Sequence, residues 1–127
     1  MAVLTPLQYE DGTNSLTVFM QELMQKHKNE NTKYIAPLVK VLKDFEEYGS
    51  RINLHVSPKF PPYKPVKGTE FAELRTKECR YFIYHIGNDV WIGLHGYEKQ
   101  SNDTPRKEIK KAKKEIQLWK ETQQTKK

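Results

Sequence analysis

Cysteine is nearly missing from this chain: Cys79 is the only one in 127 residues. That excludes an internal disulfide framework and a cysteine-rich zinc site, and it fits a reducing compartment. Glycine is sparse, at 6 residues, and nowhere forms a phosphate-cradling loop or flanks a serine nucleophile. HExxH is absent too, so most nucleotide-dependent and protease chemistries fall away. No stretch approaches the roughly 18–20 apolar residues of a membrane span, and the N-terminus lacks a basic-then-apolar leader. A cytoplasmic protein without membrane association is therefore expected. His27, His55, His85 and His95 lack metal-ligand spacing and carboxylates are not clustered near them, so neither a metal nor a cofactor is expected.

Aromatic residues are plentiful by comparison: 5 Phe, 7 Tyr and 2 Trp, within 36% apolar and 30% charged residues. The chain is polar for a globular domain but too aromatic for a disordered one. One compact domain over residues 1–121 is expected, followed by a polar tail, 122–127, that frays.

The net charge of +6 is unevenly spread. Residues 1–98 carry 12 basic and 12 acidic side chains, whereas residues 99–127 carry 10 and 4. A basic surface of this kind suits a polyanion such as nucleic acid, through counterion release. The alternative is a solvated lysine face.

Periodicity predicts helices first, then strands, then a helix, an α+β domain. Leu4 to Tyr9 reads as a short strand. Ser15 is expected to cap a helix carrying Leu16, Phe19, Met20, Leu23 and Met24. A second helix, from Asn31 or Thr32 to a left-handed Gly49, buries Ile35, Leu38, Val39, Leu42 and Phe45, with Pro37 in its first turn. From Val56 to Gly68, four prolines alternate with Lys59, Phe60, Tyr63, Lys64 and Lys67. This segment reads as an extended loop, able either to contact nucleic acid or to serve as a rigid connector. Strands over Glu70–Thr76, Arg80–Ile86 and Val90–Tyr97 form an antiparallel meander. Thr104 and Pro105 open the last helix as N-cap and first residue. Ile109, Ala112, Ile116 and Trp119 face inward, while Lys107, Lys110, Lys111, Lys113 and Lys114 face solvent or a partner.

Pairing of these strands can gather Arg75, Arg80, His95, Tyr97 and Lys99 on one sheet surface. Cleavage of RNA by its own 2′-hydroxyl needs cations around the phosphate, a proton acceptor and a proton donor. Arginine provides bidentate phosphate contacts, and His95 or Tyr97 can move protons or stack on a base. The competing structural readings are ion pairs of the arginines with Glu73 or Glu78, and an inert, hydrogen-bonded His95 between Gly93 and Gly96.

The run Phe71-Ala72-Glu73-Leu74-Arg75, then Arg80-Tyr81-Phe82-Ile83-Tyr84, then Leu94-His95-Gly96-Tyr97-Glu98-Lys99-Gln100, then Thr104-Pro105 and Ala112, resembles the HigB-like, phage-derived branch of the RelE/ParE toxin superfamily. The match covers roughly residues 30 to 120. It implies a twisted, mainly antiparallel sheet flanked by two N-terminal helices and a basic C-terminal helix. It also implies the toxin of a type II toxin–antitoxin pair: a metal-independent endoribonuclease that cleaves mRNA on the ribosome and is neutralised by a cognate antitoxin, often a helix-turn-helix DNA-binding protein. Arg75 and Arg80 then fall where the family places phosphate-holding cations, Tyr97 at a base-stacking aromatic, and Lys99 near the basic residue after the last strand. The family's double lysine is Lys99-Gln100 here and its phenylalanine is Tyr97, while His95, Tyr97 and Lys67 all stand as proton acceptors. Lys64, Lys67, Lys107, Lys110, Lys111 and Lys114 are the expected RNA-contacting cations. Two rivals share these features: a ParE-like inhibitor of DNA gyrase, and a noncatalytic phage protein that binds nucleic acid through its tail helix.

Overall fold

A computed structural model describes residues 2–49 and 60–125. His55 and the stretch Val56–Lys59 lie outside the described residues. The elements run β1 (Val3–Pro6), α1 (Ser15–Lys26), α2 (Asn31–Tyr48), β2 (Tyr63–Pro65), β3 (Ala72–Arg75), β4 (Cys79–Gly87), β5 (Val90–Glu98) and α3 (Arg106–Thr125). The strands form one open sheet in the order β1-β5-β4-β3-β2. β1 runs parallel to β5 and every other pair is antiparallel. The α+β class, the mainly antiparallel sheet and its three flanking helices match the expectation. The sheet gains a fifth strand: β2 forms within the proline-rich segment expected to be a loop, because Pro65 lies at a sheet edge, where a missing N–H breaks no ladder.

Helix boundaries depart from the sequence expectations in instructive ways. Asn14, not Ser15, caps α1, its side-chain carbonyl accepting the Thr17 N–H at 2.9 Å. Ser15 is buried one residue inside, bonding the Tyr81 hydroxyl and the Gly93 carbonyl at 2.8 and 2.7 Å. Pro37 stands seven residues into α2, in its second turn rather than its first. Gly49 is right-handed, φ −55°. Its lack of a side chain serves contact instead, since a Cβ there would collide with that of Ala2. The inward stripe of α2 is Tyr34, Leu38, Val41, Leu42 and Phe45, with Val39 exposed. Met24 of α1 is exposed as well. α3 runs to Thr125.

Each sheet face has its own core. α1 and α2 cover one face with Phe19, Leu23, Leu38 and Phe45 against Leu74, Tyr81, Ile83 and Trp91. α3 covers the other with Ala112 and Ile116 against Phe71, Phe82, Ile92 and Leu94. A β-bulge lies between them: Tyr81 pairs with Gly96 and Ile83 with Gly93, leaving Leu94 and His95 both opposite Phe82. Such a bulge turns both residues to the same face, here the α3 side, and puts Gly93 and Gly96 on the other. There the two glycines make room: a Cβ on Gly93 would strike the Tyr81 ring, and one on Gly96 the Phe19 ring.

Candidate functional site

The strand register builds the site. On β3, Arg75 pairs with Arg80 of β4, and Arg80 pairs with Tyr97 of β5. The three side chains therefore form a row across the sheet at one end of the α3-covered face. Two positions along β3, Glu73 pairs with Lys64 of β2. Glu73 lies on the same face as Arg75, two residues away.

Both guanidinium groups are anchored by carbonyls. Arg80 Nη1 donates to Thr76 O at 2.6 Å and to Cys79 O at 2.9 Å, and Arg75 Nη2 donates to Pro61 O at 3.2 Å. Arg75 Nε is buried with no partner among the described residues. Among the described residues no carboxylate lies within ion-pair distance of either arginine, so the pairs with Glu73 or Glu78 do not form. Two opposed, half-buried cations without a counterion are a standing electrostatic demand for an anion.

Glu73, overlooked in the sequence except as an ion-pair partner, is 4% exposed. Its Oε2 accepts hydrogen bonds from the Thr104 hydroxyl at 3.3 Å and the Tyr97 hydroxyl at 3.5 Å. α3 begins at Arg106, with the Pro105 carbonyl accepting the Ile109 N–H, so Pro105 precedes the helix rather than opening it and Thr104 lies one residue further out, against the sheet. Burial, then the Glu73 charge, push the Tyr97 phenol up to about 12. Tyr97 consequently stays protonated at neutral pH, a hydrogen-bond donor rather than a base. Glu73 also lines a cleft of about 360 Å³ with Lys64, Lys67, Asp103, Thr104 and Ile109.

Not every expected residue joins this group. His95 is 3% exposed beneath α3, with Nδ1 hydrogen-bonded to Glu115 and Nε2 to Glu108 at 3.1 Å. Both ring nitrogens already face protein carboxylates, and direct contacts of this length leave no room for an ion between them. The expectation that carboxylates avoid the histidines is therefore corrected in space: His27 likewise bonds Glu98. Among the described residues, no group of three or more His, Cys, Asp or Glu side chains could hold a metal ion. Lys99 is exposed at the strand exit, where its backbone N–H donates to Glu78 O. Lys64 and Lys67 border the Glu73 cleft. Lys107 and Lys111 border a second cleft of about 350 Å³ between α1 and α3, and Lys110 and Lys114 are exposed on α3.

A five-stranded α+β domain with an arginine pair that has no carboxylate partner among the described residues thus defines the class. The description "Phage derived protein Gp49-like" matches residues 18–117. The chain belongs to this phage-derived, Gp49-like family. No curated protein matches it. Among the described residues no helix is long and apolar enough to cross a membrane.

Proposed function

We propose that the chain is the toxin of a type II toxin–antitoxin pair, an endoribonuclease that cleaves mRNA on the ribosome and thereby stops translation and growth. Membership in the Gp49-like family is compatible with a toxin. The single observation that carries the reading is the Arg75–Arg80–Tyr97 row. It presents two cations without carboxylate partners among the described residues next to a phenol; Tyr97 lines the cleft that Lys107 and Lys111 border, and Glu73, bonded to its hydroxyl, lines the one bordered by Lys64 and Lys67. A scissile phosphodiester gains negative charge in its transition state, and preorganised guanidinium donors are suited to that charge. Tyr97 offers a donor or a stacking face for a base. Lys99 lies where the chain leaves the sheet, and Lys107, Lys110, Lys111 and Lys114 offer a sequence-independent contact to RNA phosphates. A cognate antitoxin of the helix-turn-helix class is the matching partner.

The test is induced expression in bacteria, with growth followed and mRNA 5′ ends mapped, for the wild type and an Arg75→Ala/Arg80→Ala double variant. Arrest with new internal ends, both lost in the variant, supports the reading. Arrest without new ends points instead to a ParE-like action on gyrase. No arrest from a folded protein favours a noncatalytic nucleic-acid-binding role.

A further inference from the structure

We propose that Glu73 is the proton acceptor of this site, taking the proton of the attacking 2′-hydroxyl; the assignment rests on the ribonuclease reading above. Burying a carboxylate without a cationic partner is costly, by several kcal/mol per ion in general. Glu73 is 4% exposed and makes no ion pair among the described residues.

The two oxygens differ in a way that suits the role. Oε2 holds both hydroxyls, of Thr104 and Tyr97, and these neutral donors orient the carboxylate without neutralising it. Oε1 has no partner among the described residues and is not shut off from solvent, and the residue lines the cleft. The charged and titratable groups around it are Lys64, its partner on β2, Lys67 and Asp103 in the same cleft, Arg75 two residues along β3, and Tyr97 from β5. A phosphate drawn to the arginines would place its neighbouring ribose within this group. The other acceptors considered are less suited: His95 is sealed under α3 by Glu108 and Glu115, and Tyr97 keeps its proton. Lys67 sits exposed at the cleft rim.

The step balances without a cofactor. The 2′-oxygen gives its proton to Glu73 Oε1 as the O2′–P bond forms and the P–O5′ bond breaks. The departing 5′-oxygen takes the electron pair and a proton from water, leaving a 2′,3′-cyclic phosphate and a 5′-hydroxyl end. Glu73 then returns its proton to water.

Single-turnover cleavage of a defined mRNA bound to purified bacterial ribosomes tests the assignment, with ends read by primer extension. Glu73→Gln keeps the shape and an acceptor oxygen for Thr104 and Tyr97 but removes the proton acceptor. Its cleavage rate should fall by about 10²–10⁴-fold, the usual share of general-base catalysis, with cosedimentation on ribosomes retained. Glu73→Ala should be slow as well and partly rescued by added formate, a response that a merely structural role does not produce. A Glu73→Gln rate within threefold of wild type overturns the assignment and leaves the ribonuclease reading standing. Wild-type protein that cleaves no ribosome-bound mRNA overturns both. Where Glu73→Gln does not fold, formate rescue of Glu73→Ala decides: rescue supports the assignment and its absence overturns it.

Discussion

Arg75 and Arg80 face each other directly across β3 and β4, two guanidinium groups in one rung of the sheet with no carboxylate in ion-pair contact among the described residues. Like charges placed opposite each other destabilise a sheet pair, by roughly 0.2–1 kcal/mol. On the proposed ribonuclease reading, the pairing is the resting state of an anion site, where folding energy is given up for binding. Arg75→Gln should therefore leave thermal stability unchanged or slightly raised at low salt, with the difference shrinking as salt rises. Toxicity on induction should be lost in the same variant. Melting curves at two salt concentrations and a growth assay check both halves, and a clear loss of stability would show that the pair is structural.

His95 predicts the opposite combination. It is 3% exposed and ties β5 to α3 through Glu115 and Glu108. Removing the ring leaves two mostly buried carboxylates without their hydrogen-bond partner and facing a cavity, and leaving a buried polar group unsatisfied costs about 1–3 kcal/mol. His95→Ala should unfold at markedly lower urea concentration than wild type. A normal urea midpoint for His95→Ala, with activity gone, would return the histidine to the list of catalytic groups.

These two residues show how far sequence alone reaches. The alternation in β3 and β4 made it legible that Arg75 and Arg80 can share one sheet surface, while their direct pairing came from the register. His95 was legible as a strand residue and, in the structural reading, as a hydrogen-bonded one between Gly93 and Gly96, but its partners were not. Its burial follows from the bulge at Leu94–His95, one extra residue that turns both side chains under α3, and from partners 13 and 20 positions away on that helix. Glu73 was missed for a related reason. It reads as the polar residue of an alternating strand, and its closure by Thr104 and Tyr97 depends on how the loop before α3 returns to the sheet. The single signal available was its place two residues before Arg75. Strand β2 escaped because proline argues against a central strand, and the sheet edge at which Pro65 lies cannot be read locally.

Glu98 carries an acid-side dependence. Burial pushes its carboxyl up, but the hydrogen bonds from Lys26 and His27 and their charges outweigh this, so its pKa lies below the ordinary 4.5. A depressed folded-state pKa contributes stability that is fully present above the unfolded value and is lost as pH falls through the folded one. Urea midpoints should thus hold from neutrality down to about pH 4.5 as far as this group is concerned, and decline below it. Lys26→Ala removes one of the two partners, so its decline over the same acid range should be smaller than that of wild type. An identical acid profile in the two proteins would remove Lys26 from the account.

The lysines of α3 separate affinity from chemistry. Lys107, Lys110 and Lys114 are all exposed, and none makes an ion pair within the described residues. Their spacing, three and four residues apart, puts them on one outward stripe, opposite the packed Ala112 and Ile116. Changing all three to Gln should leave the melting temperature within a few degrees of wild type, because nothing in the fold depends on their charge. Binding to RNA should weaken about equally for unrelated sequences. The slope of log affinity against log salt should flatten by roughly 0.7 to 0.9 for each lysine that had met a phosphate. Cleavage at saturating ribosome concentration should persist, since the arginine row remains. If instead the triple variant binds RNA as tightly as wild type with the same salt slope, the lysine stripe is a solvated face and the nucleic acid meets the protein at the cleft alone.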